Sequence, residues 1–437
     1  DNFEVLKVLQ ESYLGKIKMI YIDPPYNTGT AMIYSNDFSK SEEEYDEDMG
    51  AIDEEGIKMF KNTDSNGRFH SDWLSMMYER IIVARDLLTN NGFMALAIDH
   101  NELHNLTSIC DEIFGENNRV GVITVVHKPE GRNQEKFFGT SNEFMLVYSK
   151  NKDEANFNDV VLDDSLAELF DSNDERGKFK LKNFIRLSDG KYSLRVNKPH
   201  FYYPVYVNSD FKEISLSEKN GFTAVYPITE AGQERTWKTT PETLVDRFNK
   251  GDLIFTKSKS GGIELFEKLR ENQVIKTHWI DKKYHGYHFG TKIIDALLGD
   301  KTFDFPKSLF LMKDILKMIV SDEDIILDFF AGSATTAHAA MQLNAEDGEN
   351  RKFIMVQIPE KTEEDSDAYK AGYKTISEIS MERIRRAGKK IIEDNTDKLK
   401  EREKTLDTGF RVYKTDTTNM KDVYYHPTAI DQKDLFN

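Results

Sequence analysis

The chain of 437 residues has one cysteine, Cys110, three tryptophans and ten prolines. A single cysteine excludes a disulfide framework within the chain and makes a reducing compartment the default. No apolar run reaches the ~18 residues of a membrane-spanning helix, and no signal peptide is recognisable. The sequence therefore predicts a soluble, cytoplasmic protein. Basic residues are in short supply: 59 Lys and Arg stand against 76 Asp and Glu, for a net charge of −17. That excludes a protein that coats nucleic acid by bulk charge. Two of the scarce prolines are adjacent, at Pro24 and Pro25.

What is present is unevenly distributed. Hydrophobic residues make up 39% and aromatics 11%, enough for a sizeable core, and the length suggests two or three domains. Residues 176–288 hold 21 Lys and Arg against 13 Asp and Glu, a net of +8, which leaves −25 for the rest. A basic, aromatic-rich segment inside an acidic protein is the pattern of a local polyanion contact. Nine acids crowd into residues 42–55, "EEEYDEDMGAIDEE", read as a solvated loop or a lid over the neighbouring site. The opening stretch "DNFEVLKVLQESYLGKIKMI" reads as an amphipathic helix feeding a strand, so the chain is expected to begin mid-domain.

Four regions follow. Residues 1–150 alternate apolar strands (18–22, 93–98, 120–126, 143–149) with helices, the strongest over 71–91, capped by Ser71 or Asp72 and closed by Asn91-Gly92. Continuously apolar strands predict an α/β sheet covered on both faces. Residues 151–288 carry short alternating runs ("YSLRVN", "FYYPVYVN", "DLIFT") and predict a mostly β or α+β insert. The α/β pattern resumes over 289–370. A helix over 375–394 and a charged tail fill 371–437.

Two stretches carry chemistry. "MIYIDPPYNTGT" (19–30) ends a buried strand in Asp23, Pro24, Pro25 and Tyr26. The prolines remove two N–H donors, so the backbone cannot extend the sheet. The carbonyls and the Asp23 carboxylate are left as acceptors where open α/β sheets bind ligands. With a flat Tyr26 ring beside them, they suit an exocyclic amino group on a planar base. "LDFFAGSATTAHA" (327–339) takes a strand ending in Asp328 through Phe330, Ala331, Gly332, Ser333 and Ala334 into a helix opening at Thr335. Small residues let backbone approach a ligand, and the helix N-terminus offers free N–H groups. The stretch is neither GxGxxG nor a Walker A loop. A carboxylate-bearing ligand with an adenosine part fits it, such as S-adenosylmethionine, with Glu360 on the ribose hydroxyls. Its 32-residue spacing from Asp328 exceeds the roughly 20 usual for that role.

Lesser constellations stay open. His285 and His288 have no acid or cysteine at metal spacing, so no metal site is expected. Trp73–Met77 would wall a cofactor adenine or pack in the core. Asp99 reads as a helix cap, and Cys110 as core. In the insert, Arg176, Lys178, Lys180, Lys182, Arg186, Arg195 and Lys198 are candidates for phosphate contacts. Tyr192, Tyr202, Tyr203 and Trp237 are candidates for reaching or stacking on bases.

The strings "IYIDPPYNTG", "GRFHSDWLSMMYERI", "TSNEFMLVYSK", "DFPKS", "DFFAGSATTAHA" and "RKFIMVQIPE" resemble the amino-methyltransferases of DNA. They closely resemble Mod subunits of type III restriction-modification systems. The order of catalytic motif, basic segment and cofactor motif is that of the circularly permuted β class. The resemblance implies a Rossmann-like S-adenosylmethionine-dependent methyltransferase fold with an inserted target-recognition domain. It implies a flipped adenine held at N6 by Asp23 and the Pro24 carbonyl, with Tyr26 stacked on the ring. Phe330, Gly332 and Ala334 match FxGxG with alanine in the last place, and Pro306 and Lys307 belong to the motif placed near the methionine carboxylate. Double-stranded DNA, a second copy of the chain and a Res helicase-nuclease subunit are the implied partners. Cytosine-N4 methylation and a DNA-recognition subunit without catalysis are the alternatives.

Overall fold

The computed structural model describes residues 1–28, 69–131, 137–160, 162, 168–187, 190, 192–258, 261–270, 275–299, 301–400, 402 and 405–416. The acidic run 42–55 lies outside the described residues. The chain forms two compact units, residues 1–158 with 276–437 and residues 159–275. The sequence placed these boundaries at 150 and 288. The first unit reaches further on both sides because Asn158 bonds the carbonyls of Lys317, Met318 and Val320. On the other side, Trp279 pairs with Val125 across a sheet, and Tyr284 donates to Asp314.

The first unit is built on strands β1 (Ile17–Ile22), β2 (Leu88–Ile98), β3 (Arg119–Val126), β4 (Asn142–Ser149), β12 (His278–Trp279), β13 (Ile325–Asp328) and β14 (Lys352–Met355). They form one sheet in the order β12-β3-β4-β2-β1-β13-β14. β4 is antiparallel to its neighbours β2 and β3, and every other pairing is parallel. β1 lies deep in this sheet, which is why "IKMIYI" is apolar on both faces. The helix expected to run to Gly92 stops at Leu87, and Leu88 already pairs with Ile17. The ladder then resumes at Met19 and Phe93. Gly92 makes this possible, because a Cβ there would sit 2.9 Å from the Thr89 carbonyl oxygen.

Helices α1 (Asn2–Tyr13), α2 (Phe69–Leu87) and α3 (Leu103–Phe114) cover one face. Trp73, Met77, Ile81, Leu106 and Cys110 pack there with Ile20, Ile22, Leu96 and Ile354. Trp73 and Met77 are therefore core residues. α6 (Leu309–Ile319), α7 (Thr335–Asp347) and α8 (Ile376–Asp394) belong to the other side, with α5 (Lys292–Leu298). Ala337, Met341, Ile384, Ala387 and Ile391 pack against Phe353 and Met355, which alternate with Ile354 along β14 and so point away from the first face. α8 opens with a capping box, Thr375 with Glu378. No helix among the described residues is long and apolar enough to cross a membrane.

Two parallel neighbours decide where a site can form. β1 leads through α2 to β2 on one side, and β13 leads through α7 to β14 on the other. Their C-terminal ends therefore border the crevice of a topological switch point.

The second unit has two antiparallel sheets. β5 (Ser172–Asp174), β6 (Gly177–Asn183), β10 (Leu253–Lys257) and β11 (Ile263–Arg270) form one, in the order β10-β11-β6-β5. β7 (Val205–Val207), β8 (Ile214–Ser215) and β9 (Thr223–Val225) form the other. With α4 (Pro241–Asn249) they enclose Phe184, Val205, Trp237, Leu244, Phe255 and Leu265. The α+β expectation describes this unit, although "YSLRVN" gives a 3-10 turn at Arg195–Asn197 in place of a strand.

Arg80 ties the start of the first unit together. Its guanidinium is 1% exposed, and it donates to Asn2 Oδ1 at 2.7 Å, to the Met76 carbonyl at 2.8 Å and to both Asp1 carboxylate oxygens. Asn2 in turn donates to the Phe329 carbonyl at 2.9 Å, so α1 and α2 grip the strand end that leads into the small-residue turn. Replacing Arg80 by Met leaves Asn2 and Asp1 short of donors. The variant is expected to lose about 3 kcal/mol of stability in urea unfolding. Parental stability would show that the network is dispensable.

Candidate active site

β1 delivers Asp23 to the crevice, and the two prolines end its ladder there. Pro25 is fixed by the buried Trp73, whose Nε1–H donates to its carbonyl at 2.8 Å. Asn27 takes a left-handed backbone (φ 54°) and donates to Glu102 Oε1 at 2.6 Å and to the Phe69 carbonyl at 3.2 Å. The turn is thus held on both sides of Tyr26. Among the described residues the Pro24 carbonyl accepts no hydrogen bond, so it stays available as an acceptor.

Four side chains meet above this turn: Asp23, Tyr26, Glu143 and Lys307. Lys307 Nζ lies 3.0 Å from Asp23 Oδ1, 2.9 Å from Glu143 Oε2 and 2.7 Å from the Tyr26 hydroxyl, to which it donates. That hydroxyl in turn lies 2.9 Å from both carboxylates and can donate its one proton to either. Two acids share one ammonium, and their carboxyl groups shift in opposite directions. Burial opposes the charge on Glu143, but Lys307, His127 and the Tyr26 hydroxyl outweigh it and hold Glu143 below its ordinary range. Burial and the Glu143 charge push Asp23 up, against the pull of Lys307 and Tyr26. Burial and the two carboxylates raise Tyr26 well above a free phenol, so it stays protonated. The two carboxylates also outweigh burial at Lys307, which stays charged. Asp23, with 28% of its side chain exposed, is the acceptor that faces outward.

Sequence reasoning missed Glu143. One acid opening an apolar strand carries no signal by itself. Only the antiparallel direction of β4 brings its first residues to the end where β2 finishes, with Phe144 opposite Ile98. Lys307 arrives by a close backbone approach, since a Cβ on Gly290 would overlap the Pro306 carbonyl oxygen. The sequence linked Lys307 to the cofactor, whereas here its ammonium is committed to the acceptor cluster. Pro306 is buried and positions it.

The second stretch forms the neighbouring wall. β13 ends at Asp328, which is 2% exposed, accepts from Thr336 Oγ1 at 2.6 Å and from the Phe330 N–H at 3.2 Å. Ala331 N–H donates to the Val356 carbonyl. Gln357, also missed from sequence, accepts from the Gly332 N–H at 2.8 Å. Gly332 and Ala334 are both left-handed (φ 51° and 60°). Ala334 is the N-cap of α7 and has no side chain with which to cap it. The first N–H groups of α7, beginning at Thr335, therefore open toward the turn without a side-chain acceptor from their cap. Ser333 lies under the turn, 3% exposed. Glu360 follows β14, its side chain exposed and its carbonyl accepting from Ile376.

The basic candidates in the second unit divide by environment. Lys178 is exposed. Arg176 pairs with Asp252 and Arg195 with Glu234 at the surface. Lys198 lies over Tyr192 and Lys180 over Phe170, 4.9 and 4.7 Å from the ring centres. Arg186 spends its guanidinium on the carbonyls of Trp237 and Lys238. Trp237 is a correction: it is 0% exposed and donates to the Tyr203 carbonyl, so it builds the core and offers no face to a base. Leu194, Arg195, Val196, Pro199 and Glu234 line an open depression of about 400 Å3. Among the described residues no His, Cys, Asp and Glu group has metal-binding geometry.

Two measurements probe these walls. Burial raises Asp328 to about 7. The native state then binds more protons than the unfolded one, so this residue makes stability fall as pH rises from about 4 to about 7. Asp328→Asn is expected to flatten that slope, gaining stability at pH 8 relative to pH 5. An unchanged slope in urea unfolding would contradict the assignment. Gly290→Ala is expected to displace Lys307 and cost about 1–3 kcal/mol from overpacking, read by the same method. No loss would contradict the close approach.

The sequence pattern of the DNA methylase family matches residues 17–368. The Mod subunit of the EcoPI type III restriction-modification enzyme of Escherichia phage P1 is 32% identical over 428 residues, spanning 95% of this chain and 64% of that protein. Type II methyltransferase M.KpnI of Klebsiella pneumoniae is 32% identical over 384 residues, 88% of this chain and 85% of its own length. The StyLTI Mod subunit of Salmonella typhimurium is 33% identical over 424 residues, 95% of this chain and 59% of its own. The chain thus spans less than two thirds of these type III relatives. With an acceptor turn and a small-residue turn on adjacent strand ends, and a family match across most of its length, the chain belongs to the DNA methylase family.

Proposed function

We propose that this chain is a site-specific DNA methyltransferase that moves a methyl group from S-adenosylmethionine to N6 of a flipped adenine in duplex DNA. In this reading it acts in the cytoplasm as the modification and specificity subunit of a restriction-modification system. One observation carries the reading: the Asp23–Tyr26 acceptor turn and the 328–335 turn end neighbouring parallel strands at one switch point.

The residues present suit S-adenosylmethionine. The α7 N-terminus lacks a side-chain cap, which suits a carboxylate, and Glu360 is exposed in the segment that follows β14, five residues past its end, which suits ribose hydroxyls. The cofactor supplies a methyl group activated by a sulfonium. Asp23 and the Pro24 carbonyl accept the two amino N–H bonds and turn the nitrogen lone pair toward the cofactor side. Tyr26 offers its ring to the base while its hydroxyl is held by Lys307 and Glu143. No base acts before transfer, so catalysis rests on positioning and fixed charge. Once the nitrogen carries the methyl group it must lose a proton. Asp23, raised by burial and by Glu143, is the natural acceptor. The second unit supplies the basic, aromatic surface for DNA, with Lys178, Arg195 and Lys198 as the first candidates. A second copy of the chain and a Res helicase-nuclease subunit are its proposed protein partners.

Asp rather than Ser before Pro-Pro-Tyr favours adenine over cytosine by the family pattern. Digesting methylated DNA to nucleosides decides it: N6-methyladenine is expected, and N4-methylcytosine would overturn the choice of base. Asp23→Asn is expected to lower kcat by about 100-fold or more, with cofactor affinity within about threefold of the parent. Equal loss of cofactor binding would place Asp23 in the cofactor site instead.

A further inference from the structure

The 328–335 turn holds an alanine where the backbone favours glycine. Ala334 sits at φ 60° and ψ 42°, completely buried, two residues after Gly332 at φ 51°. An L-residue in this region carries steric strain that glycine escapes, and such strain persists only where neighbours over-determine the backbone.

Part of that determination comes from within the sheet, through Asp328 and Gln357. The rest comes from α8, which begins after the residues that match the family pattern. Ser380 Oγ donates to the Gly332 carbonyl. Arg383 Nη1 donates to Ser333 Oγ at 2.8 Å and to Thr335 Oγ1 at 2.7 Å. Gly332, Ser333 and Thr335 are therefore all gripped by one helix, and they bracket Ala334. Ala334 and Ala337 also pack against Ile384 and Ala387 of the same helix.

Arg383 is an expensive way to fill space. It is 0% exposed, its Nε and Nη2 have no hydrogen-bond partner, and it makes no ion pair among the described residues. A buried cation satisfied on one nitrogen costs stability that a methionine of similar volume would not. What Arg383 offers and methionine cannot is a donor to the two hydroxyls that flank Ala334.

We propose that Arg383 and Ser380 are positioning residues that hold the turn in its strained shape and compensate for alanine at position 334. The effect on cofactor binding rests on the reading of 328–335 given above, and the effect on the turn itself does not.

The test uses the full chain with Arg383→Met, Ser380→Ala and Ala334→Gly, alone and combined. Amide exchange over residues 330–336, S-adenosylmethionine binding by calorimetry and thermal unfolding are measured on each. Arg383→Met is expected to speed exchange in the turn and to weaken binding about tenfold. Its Tm should be unchanged or raised, an outcome that a merely structural role would not give. Adding Ala334→Gly should restore most of the affinity and protection, an effect larger in the Arg383→Met background than in the parent. Parental exchange in Arg383→Met, or an equal effect of Ala334→Gly in both backgrounds, would overturn the proposal. A parent chain that binds no S-adenosylmethionine would sink the methyltransferase reading and leave the brace to be decided by exchange alone. If Arg383→Met does not fold, Ser380→Ala with and without Ala334→Gly decides the question in the same way.

Discussion

The pairing of β1 with β13 is the constraint on which everything else depends. Met19 lies opposite Ile326 and Ile20 opposite Leu327, in parallel. These residues are some 300 positions apart in the chain, yet the register carries both strands to the same edge of the sheet. There the two strands hand over to connections that leave in opposite directions. Asp23 and Gly332 could not serve a common ligand if this pairing slipped, because a one-residue shift would turn the side chains of one strand to the opposite face relative to the other. The first helices secure the arrangement from one side, through Arg80, Asn2 and the Phe329 carbonyl. α8 secures it from the other, through Arg383 and Ser380.

The crevice is electrostatically asymmetric. On the β1 side an ammonium and a phenol are caught between two carboxylates, of which Glu143 is the more deeply buried. Asp23 is left nearer to its proton-accepting range and nearer to solvent. On the β13 side the field comes from backbone: an uncapped helix N-terminus above a buried guanidinium. Acceptors thus face one part of the crevice and donors the other. That division suits the transfer of a group to an amino nitrogen from a ligand that carries both a cation and a carboxylate.

Much of this was legible in the sequence because it was local. The alternation of apolar strands and helices gave the α/β class, and a pair of prolines after an acid marked a strand end that could not continue. "FAGSATT" marked a backbone approach site through its small residues. What stayed hidden was non-local. Glu143 depends on the direction of β4, and Lys307 on the approach that Gly290 allows. Gln357, Ser380 and Arg383 are ordinary polar residues until the turn they contact is known. Trp237 misled for a related reason: an aromatic in a basic segment looks like a base-stacking ring until its burial is seen. The helix expected to end at Gly92 lost its last turn to the sheet, because pairing of Leu88 with Ile17 outweighed the local stop signal.

The central claim is that one crevice presents the acceptor turn and the cofactor turn to each other. A crystal structure of the chain with a bound S-adenosylmethionine analogue tests it most directly. The account predicts the analogue between the ends of β1 and β13, its amino-acid part on the 330–335 turn and its reactive end facing Asp23 and Tyr26. An analogue bound elsewhere, or seated on the turn with its reactive end directed away from Asp23, would contradict it.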